Sequence, residues 1–337
     1  MSNQSTEITL AQAYNLMEEG NLAQARPILY DAIEFDLDNK ELHFAYWCCN
    51  FWIPHLDTES LLSNLDKGNR ILARWIEFSE TLEEEDKNKA SPSKIRPQSH
   101  PRAVYATKHG VFSLALASFK AVESTLIDDQ TVTIAQKSDV LSKIGICYKE
   151  LGEYDSALEY LKIKANALSP NSAAIYAEMA DCFALSGEEK QAKLFFREAF
   201  FLDAQKIELA FLESQLIRAV IEQAKTKGGA KGALLEWIPV YGELTHVFNI
   251  KHEFRLQEVG KLQQDIYARE NELKDPSNSP QILVPKLINM YFRLIDHYER
   301  STDASAAQKS QECQLQIRSH DEDIYNIYTA NKSLTQK

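Results

Sequence analysis

Eight histidines, five cysteines and one run of four carboxylates are the side chains with which this chain could do metal or nucleophilic chemistry. Metal binding needs such groups at short, regular spacings. His43, His55, His100, His109, His246, His252, His297 and His320 form no HExxH or HxH pattern, and none stands at ligand spacing from a cysteine. Cys48 and Cys49 are adjacent and the other three cysteines are far apart, which is neither a disulfide framework nor CxxC metal spacing. An odd set of this kind predicts a reducing compartment, the cytoplasm. Cys147 and Cys182 each precede an aromatic residue, Tyr148 and Phe183, at places where a small apolar side chain suffices. Glu83-Glu84-Glu85-Asp86 reads as a solvated charge run rather than a metal cage. The lysines and glycines of 227–232 lack the GxxxxGK[ST] order and a preceding strand, so they read as a connection and not a phosphate cradle. No GxSxG, GxGxxG or kinase signature is present. The expectation is a non-enzymatic chain with no cofactor and no metal.

The 337 residues are 44% hydrophobic and 26% charged, with only 11 Gly and 10 Pro. Such a composition excludes collagen-like, low-complexity and turn-rich all-β classes. No run approaches the roughly 18 apolar residues of a membrane helix, so no membrane insertion is expected. Met1–Glu7 has neither the basic nor the apolar region of a secretory leader. The net charge of −12 is concentrated at the start, where residues 1–90 carry 17 acidic against 7 basic side chains. That balance argues against nucleic acid as a partner. It favours a basic partner surface.

Internal periodicity is the strongest signal in the chain. Residues 141–170 hold an apolar helix with Leu141, Ile144, Gly145 and Tyr148, a break at Gly152, and a second helix with Ala157, Leu161 and Ala165. Residues 175–203 repeat this as Tyr176, Met179, Ala180 and Phe183, then Gly187, then Ala192, Phe196 and Ala199. Weaker copies occur at 14–36 around Gly20 and at 103–122 around Gly110. Each copy reads as a helix, a tight glycine turn, and a helix bearing small-then-large apolar residues. Small residues let paired helices approach closely. Gly152 and Gly187 are one residue further apart than a 34-residue unit allows. The late position of Pro170 places the extra residue in the second helix.

These features resemble the tetratricopeptide repeat family over roughly the first two-thirds of the chain. No copy has the family's Trp near the start of its first helix, and only one ends with the expected Pro. The resemblance implies an all-α, TPR-like solenoid of antiparallel helix hairpins, here with a C-terminal helical closure. It also implies a concave face that binds peptides or partner helices. Four segments are expected: an N-terminal helical unit at 1–82, an exposed charged linker at 83–101, the repeat array at 102–227, and a C-terminal helical region at 228–337. Segment 43–90 reads as a divergent helix pair. In the last region, helices are expected at about 233–248, 252–274, 281–300 and 321–332.

Carried onto this chain, the inward positions that the family uses for contact include Thr107, Lys108, Ser142, Lys143, Ile146, Lys149, Glu178 and Asp181. Repeats that clamp a chaperone's C-terminal carboxylate need Lys and Asn at places here held by Ser142 and Ile146. Glu178 would repel that carboxylate, so a chaperone-tail partner is not expected. The groove instead grades from basic (Lys108, Lys143, Lys149) to acidic (Glu178, Asp181), which suits a segment of mixed charge. The expected function is a protein-interaction scaffold or adaptor holding a partner polypeptide. Two alternatives stand beside it: a structural subunit that forms a homo-oligomer through the apolar segment 281–300, and a helical enzyme or small-molecule-regulated receptor with a pocket between the array and the C-terminal helices. A compact cavity lined by convergent titratable groups would support the last of these.

Overall fold

The computed structural model describes residues 3–59, 62–87, 99–248 and 254–335. Among these residues every regular element is helical and there is no strand. Three glycines shape the chain through a conformation that residues with a Cβ resist. Gly20, Gly152 and Gly187 have φ of +79°, +82° and +86°. At each, the glycine N–H donates to the carbonyl three residues back and the next N–H to the carbonyl five back. The acceptor pairs are Met17 and Leu16, Lys149 and Tyr148, and Ala184 and Phe183. This is the Schellman ending, and it hands the chain directly to the following helix.

The helices form two compact units, Met1–Pro170 and Asn171–Lys337. The first contains α1 (Asn3–Glu18), α2 (Leu22–Phe35), α3 (Lys40–Glu59), α4 (Asn64–Lys87), α5 (Pro101–Asp128), α6 (Ile134–Glu150), α7 (Tyr154–Leu158), a π-helical segment (Glu159–Ala165) and α8 (Asn166–Leu168). α1 pairs with α2, and α6 pairs with α7 and the π segment. The π segment absorbs the one-residue excess between Gly152 and Gly187, since such a bulge is a single inserted residue within a helix. Gly145 of α6 lies over Leu161, where a Cβ would come within 2.6 Å of the Leu161 Cγ.

The expected hairpin around Gly110 does not form. Residues 101–128 are one continuous helix, and Gly110 is a contact point instead of a hinge. A Cβ there would stand 1.9 Å from the Met17 carbonyl oxygen of α1. α5 also packs against α3, α4 and α6. Its Phe112 meets Trp75 of α4 edge to face at 5.2 Å. Trp75 lies beside Trp52 and Phe78, and all are buried.

The second unit contains α9 (Ala173–Leu185), α10 (Glu189–Asp203), α11 (Gln215–Ala224), α12 (Lys231–Leu244), α13 (Leu256–Leu273), α14 (Pro280–Tyr298), α15 (Ala306–His320) and α16 (Glu322–Thr335). α9 and α10 form the third glycine-hinged hairpin. α14 is apolar on most of its circumference because α12, α13 and α15 cover it. The apolar stretch 281–300 is thus an internal element of its own unit. Helix α15 was not expected. Its buried stripe is Ala306, Ser310, Cys313 and Ile317, and only the last is a large hydrophobe.

The boundary between the units also departs from expectation. It falls at Pro170, inside the anticipated array 102–227, and not at 83–101 or 227–228. The reason is packing: α5 ties the anticipated array to α1, α3 and α4, while α12 takes α10 and α11 into the C-terminal helices. Of the anticipated linker, 83–87 extend α4, 101 begins α5, and 88–98 lie outside the described residues.

Candidate functional site

Most of the eight expected contact residues hold the protein together. Thr107 is fully buried, and its hydroxyl donates to the Ala103 carbonyl one turn back at 2.7 Å. Ile146 belongs to the core. Lys149 is 2% exposed, with its ammonium 3.3 Å from Glu150, whose other carboxylate oxygen is 2.7 Å from the Lys108 ammonium. A charge leaves water only when it is paired, so these three form a buried ionic group rather than a docking surface. In the second unit Glu178 is buried. Asp181 has no exposed surface and accepts from the Glu213 and Ser214 N–H groups at 2.9 and 2.8 Å. It therefore supplies acceptors at the start of α11, where unpaired N–H groups and the helix dipole favour a carboxylate.

Ser142 and Lys143 remain half-buried. Ser142 donates to the Asp139 carbonyl at 3.0 Å, and Lys143 reaches Asn69 at 2.8 Å and Asp139 at 2.6 Å. Asp181→Ala is expected to cost about 2 kcal/mol, because two N–H groups lose a buried acceptor. Thermal denaturation of the full chain checks this, and a melting temperature equal to wild type would contradict the cap.

Each unit has a concave surface that presents polar side chains to solvent. In the first unit a shallow trough of about 450 Å³ runs between α1 and α5, lined by Ala11, Tyr14, Asn15 and Glu18 and by Pro101, Arg102 and Tyr105. Its floor is fixed by Tyr14, whose hydroxyl donates to Glu41 at 2.8 Å while the Arg102 guanidinium lies 5.3 Å over its ring. Burial, with Glu41 beside it, holds the Tyr14 hydroxyl in its protonated form by raising its pKa. Tyr105 is 60% exposed and Asn15 is exposed, so an aromatic face and a side-chain amide are open to a ligand.

In the second unit a cleft of about 410 Å³ lies among α10, α12, α13 and α14. α13 contributes Glu258, Lys261, Leu262, Asp265 and Arg269, and α14 contributes Lys286, Asn289, Met290 and Arg293, each set at helical i, i+3, i+4, i+7 spacing. Arg293 is 4% exposed and its guanidinium carbon lies 3.3 Å from the Phe201 ring centre. Burial pulls the Arg293 pKa down to about 9. The trough was not foreseen, and the cleft was foreseen only as an alternative, a pocket between the array and the C-terminal helices with no lining residue named. For the cleft, one signal was present in the sequence: Arg293 interrupts the apolar run Tyr291-Phe292-Arg293-Leu294-Ile295.

Charges cluster in the packing around Arg293. Arg197 is 4% exposed and donates to Asp296 at 2.8 Å. Burial raises the Glu243 pKa to about 7, helped by the Asp296 carboxylate, and burial raises Asp296 as well. The folded state then holds protons that the unfolded chain has released. Stability from Glu243 is full below about pH 4.5 and is lost as pH rises through about 7. His320, whose proton affinity burial lowers, tilts the other way. The difference between wild type and Glu243→Gln isolates the carboxyl. Melting curves are expected to show wild type losing on the order of 1–2 kcal/mol relative to Glu243→Gln between pH 5 and 7.5. Parallel pH profiles would contradict the assignment.

None of the five cysteines is in a disulfide, and all are buried. Burial pushes the Cys49 thiol up to about 12 and raises Cys147 further, so neither is an activated thiolate. No group of three His, Cys, Asp or Glu residues converges at metal-binding distance among the described residues. No described helix is long and apolar enough to cross a membrane. No protein-family model, curated protein or solved structure matches the chain.

Proposed function

We propose that the chain is a non-catalytic interaction module of TPR-like helix hairpins that holds a basic, extended partner polypeptide along the α1–α5 trough. The observation that carries this reading is the trough itself. Two packed helices offer an exposed aromatic ring and an exposed amide on a floor locked by Tyr14, Glu41 and Arg102. An amide such as Asn15 can pair with the backbone of an extended peptide, and Tyr105 can cover a side chain. The acidic balance of residues 1–90 supplies the attraction for a basic partner. A rigid surface of this kind also lowers the ordering cost of binding.

The TPR-like arrangement is supported by the three identical glycine hinges and by small residues between paired helices, as at Gly145, Ala157, Ala180 and Ala192. Five cysteines without a disulfide support a reducing, cytoplasmic setting. An oligomer through 281–300 draws no support from α14, whose apolar faces are covered within its own unit. A small-molecule-regulated receptor is favoured by one observation, the cleft in the second unit with its convergent charged side chains.

The test is a displayed peptide library selected on the purified full chain. Basic extended peptides are expected to be enriched, and their affinity should fall at least tenfold for Asn15→Ala combined with Tyr105→Ala at an unchanged melting temperature. Enrichment of acidic peptides, or full binding to the double variant, overturns the proposal.

A further inference from the structure

The cleft among α10, α12, α13 and α14 is lined by both acids and bases. Its acids are largely engaged. Glu236 accepts from the Gln205 amide at 2.9 Å, Glu258 from the Arg255 N–H at 2.7 Å, and Asp203 faces Lys206 at 3.2 Å. Glu198 reaches Arg293 at 3.4 Å, longer than the usual charge-assisted bond. Asp265 is exposed to solvent. Of the bases, Arg269 is taken by Glu272. Lys261 and Lys286 make no salt bridge among the described residues, and Lys286 lies close enough to Glu236 to favour its carboxylate.

Arg293 is the decisive side chain. Its Nη2 donates to the Arg197 carbonyl at 3.2 Å and to Glu198, and its face rests on Phe201. Among the described residues its Nε and Nη1 have no acceptor. A guanidinium this deeply buried and half-paired keeps donors at Nε and Nη1 for single hydrogen bonds to an anion. Lys286 stands two turns earlier on the same face of α14. Around these cations Phe200, Leu262 and Met290, all buried, supply an apolar wall. The cleft's volume lies in the range that encloses small organic ligands.

We infer that this cleft binds an organic monoanion with an apolar body, its carboxylate held by Arg293 and Lys286 and its hydrocarbon against Phe200, Leu262 and Met290. The inference rests on the receptor reading and is independent of partner capture at the trough. The test is displacement of the fluorescent anion 8-anilinonaphthalene-1-sulfonate from the purified full chain by octanoate, octanol and octylamine. Octanoate is expected to displace the dye at a concentration at least tenfold lower than the other two. Lys286→Gln and Arg293→Lys should each raise the octanoate requirement at least fivefold and leave octanol unchanged. Should Arg293→Lys lose its native circular dichroism, Lys286→Gln carries the comparison alone. Equal displacement by octanoate and octanol overturns the anion assignment and leaves a ligand cleft standing. Dye fluorescence that Leu262→Glu does not reduce, or the absence of any dye binding, overturns the receptor reading with it.

Discussion

Replacing Gly110 with alanine is expected to destabilise the first unit by about 3 kcal/mol or more, at the upper end of the usual cost of overpacking. The added Cβ would stand 1.9 Å from the Met17 carbonyl oxygen, and a backbone oxygen cannot rotate aside as a side chain can. α1 must move away from α5, opening the small-residue contact on which both helices close. Gly152→Ala is the control. Its φ of +82° disfavours a Cβ, but nothing lies within 4 Å of the added atom. The strain of one left-handed residue costs about 1 kcal/mol. Urea denaturation followed by tryptophan fluorescence reports the first unit well, since Trp47, Trp52 and Trp75 lie in it. Equal costs for the two variants would contradict the close contact of α1 and α5.

Lys149→Glu should be the most damaging charge change in the first unit, costing about 3–5 kcal/mol as breaking a buried ion pair does. It sets a new carboxylate beside Glu150 and removes one of the two cations within 3.3 Å of it. Lys143→Glu is expected to cost no more than about 1 kcal/mol, because its contacts to Asn69 and Asp139 are partly solvated. The repeat resemblance treats both lysines as groove contacts whose reversal would spare stability. The structure corrects this for Lys149. Lys149→Met with Glu150→Leu and Lys108→Met tests the cause: the three changes should restore much of the loss, since apolar groups need no counterion. Equal melting temperatures for Lys149→Glu and Lys143→Glu would contradict the buried group.

The hinges were legible because a Schellman glycine leaves a local mark. Gly20, Gly152 and Gly187 are each followed by a polar residue, Asn21, Glu153 or Glu188, that opens the next helix. Gly110 is followed by Val111 and Phe112, both buried, which is the mark of a glycine inside a packed helix. The copy at 103–122 was therefore misread through a glycine whose work is long-range. The extra residue in the second hairpin was legible from spacing alone, and the π segment is its physical form. α15 escaped because Ala306, Ser310 and Cys313 carry too little hydrophobicity to show periodicity. The contact residues failed for another reason. A repeat register says which way a side chain points, but whether water or protein meets it depends on packing distant in sequence. Asp181, for example, finds its partners 32 and 33 residues away.

The trough and the cleft divide the functional claim between them, and the trough carries the larger share. Its direct test places a photo-crosslinking benzoylphenylalanine at position 105 and, in a second variant, at position 267, then adds a peptide enriched by selection on the chain. Tyr105 and Tyr267 are comparably exposed, at 60% and 67%, so accessibility does not bias the comparison. Cross-linking from 105 and none from 267 is the predicted result. A peptide that cross-links from 267, or from neither position while still bound, would contradict a partner seated between α1 and α5.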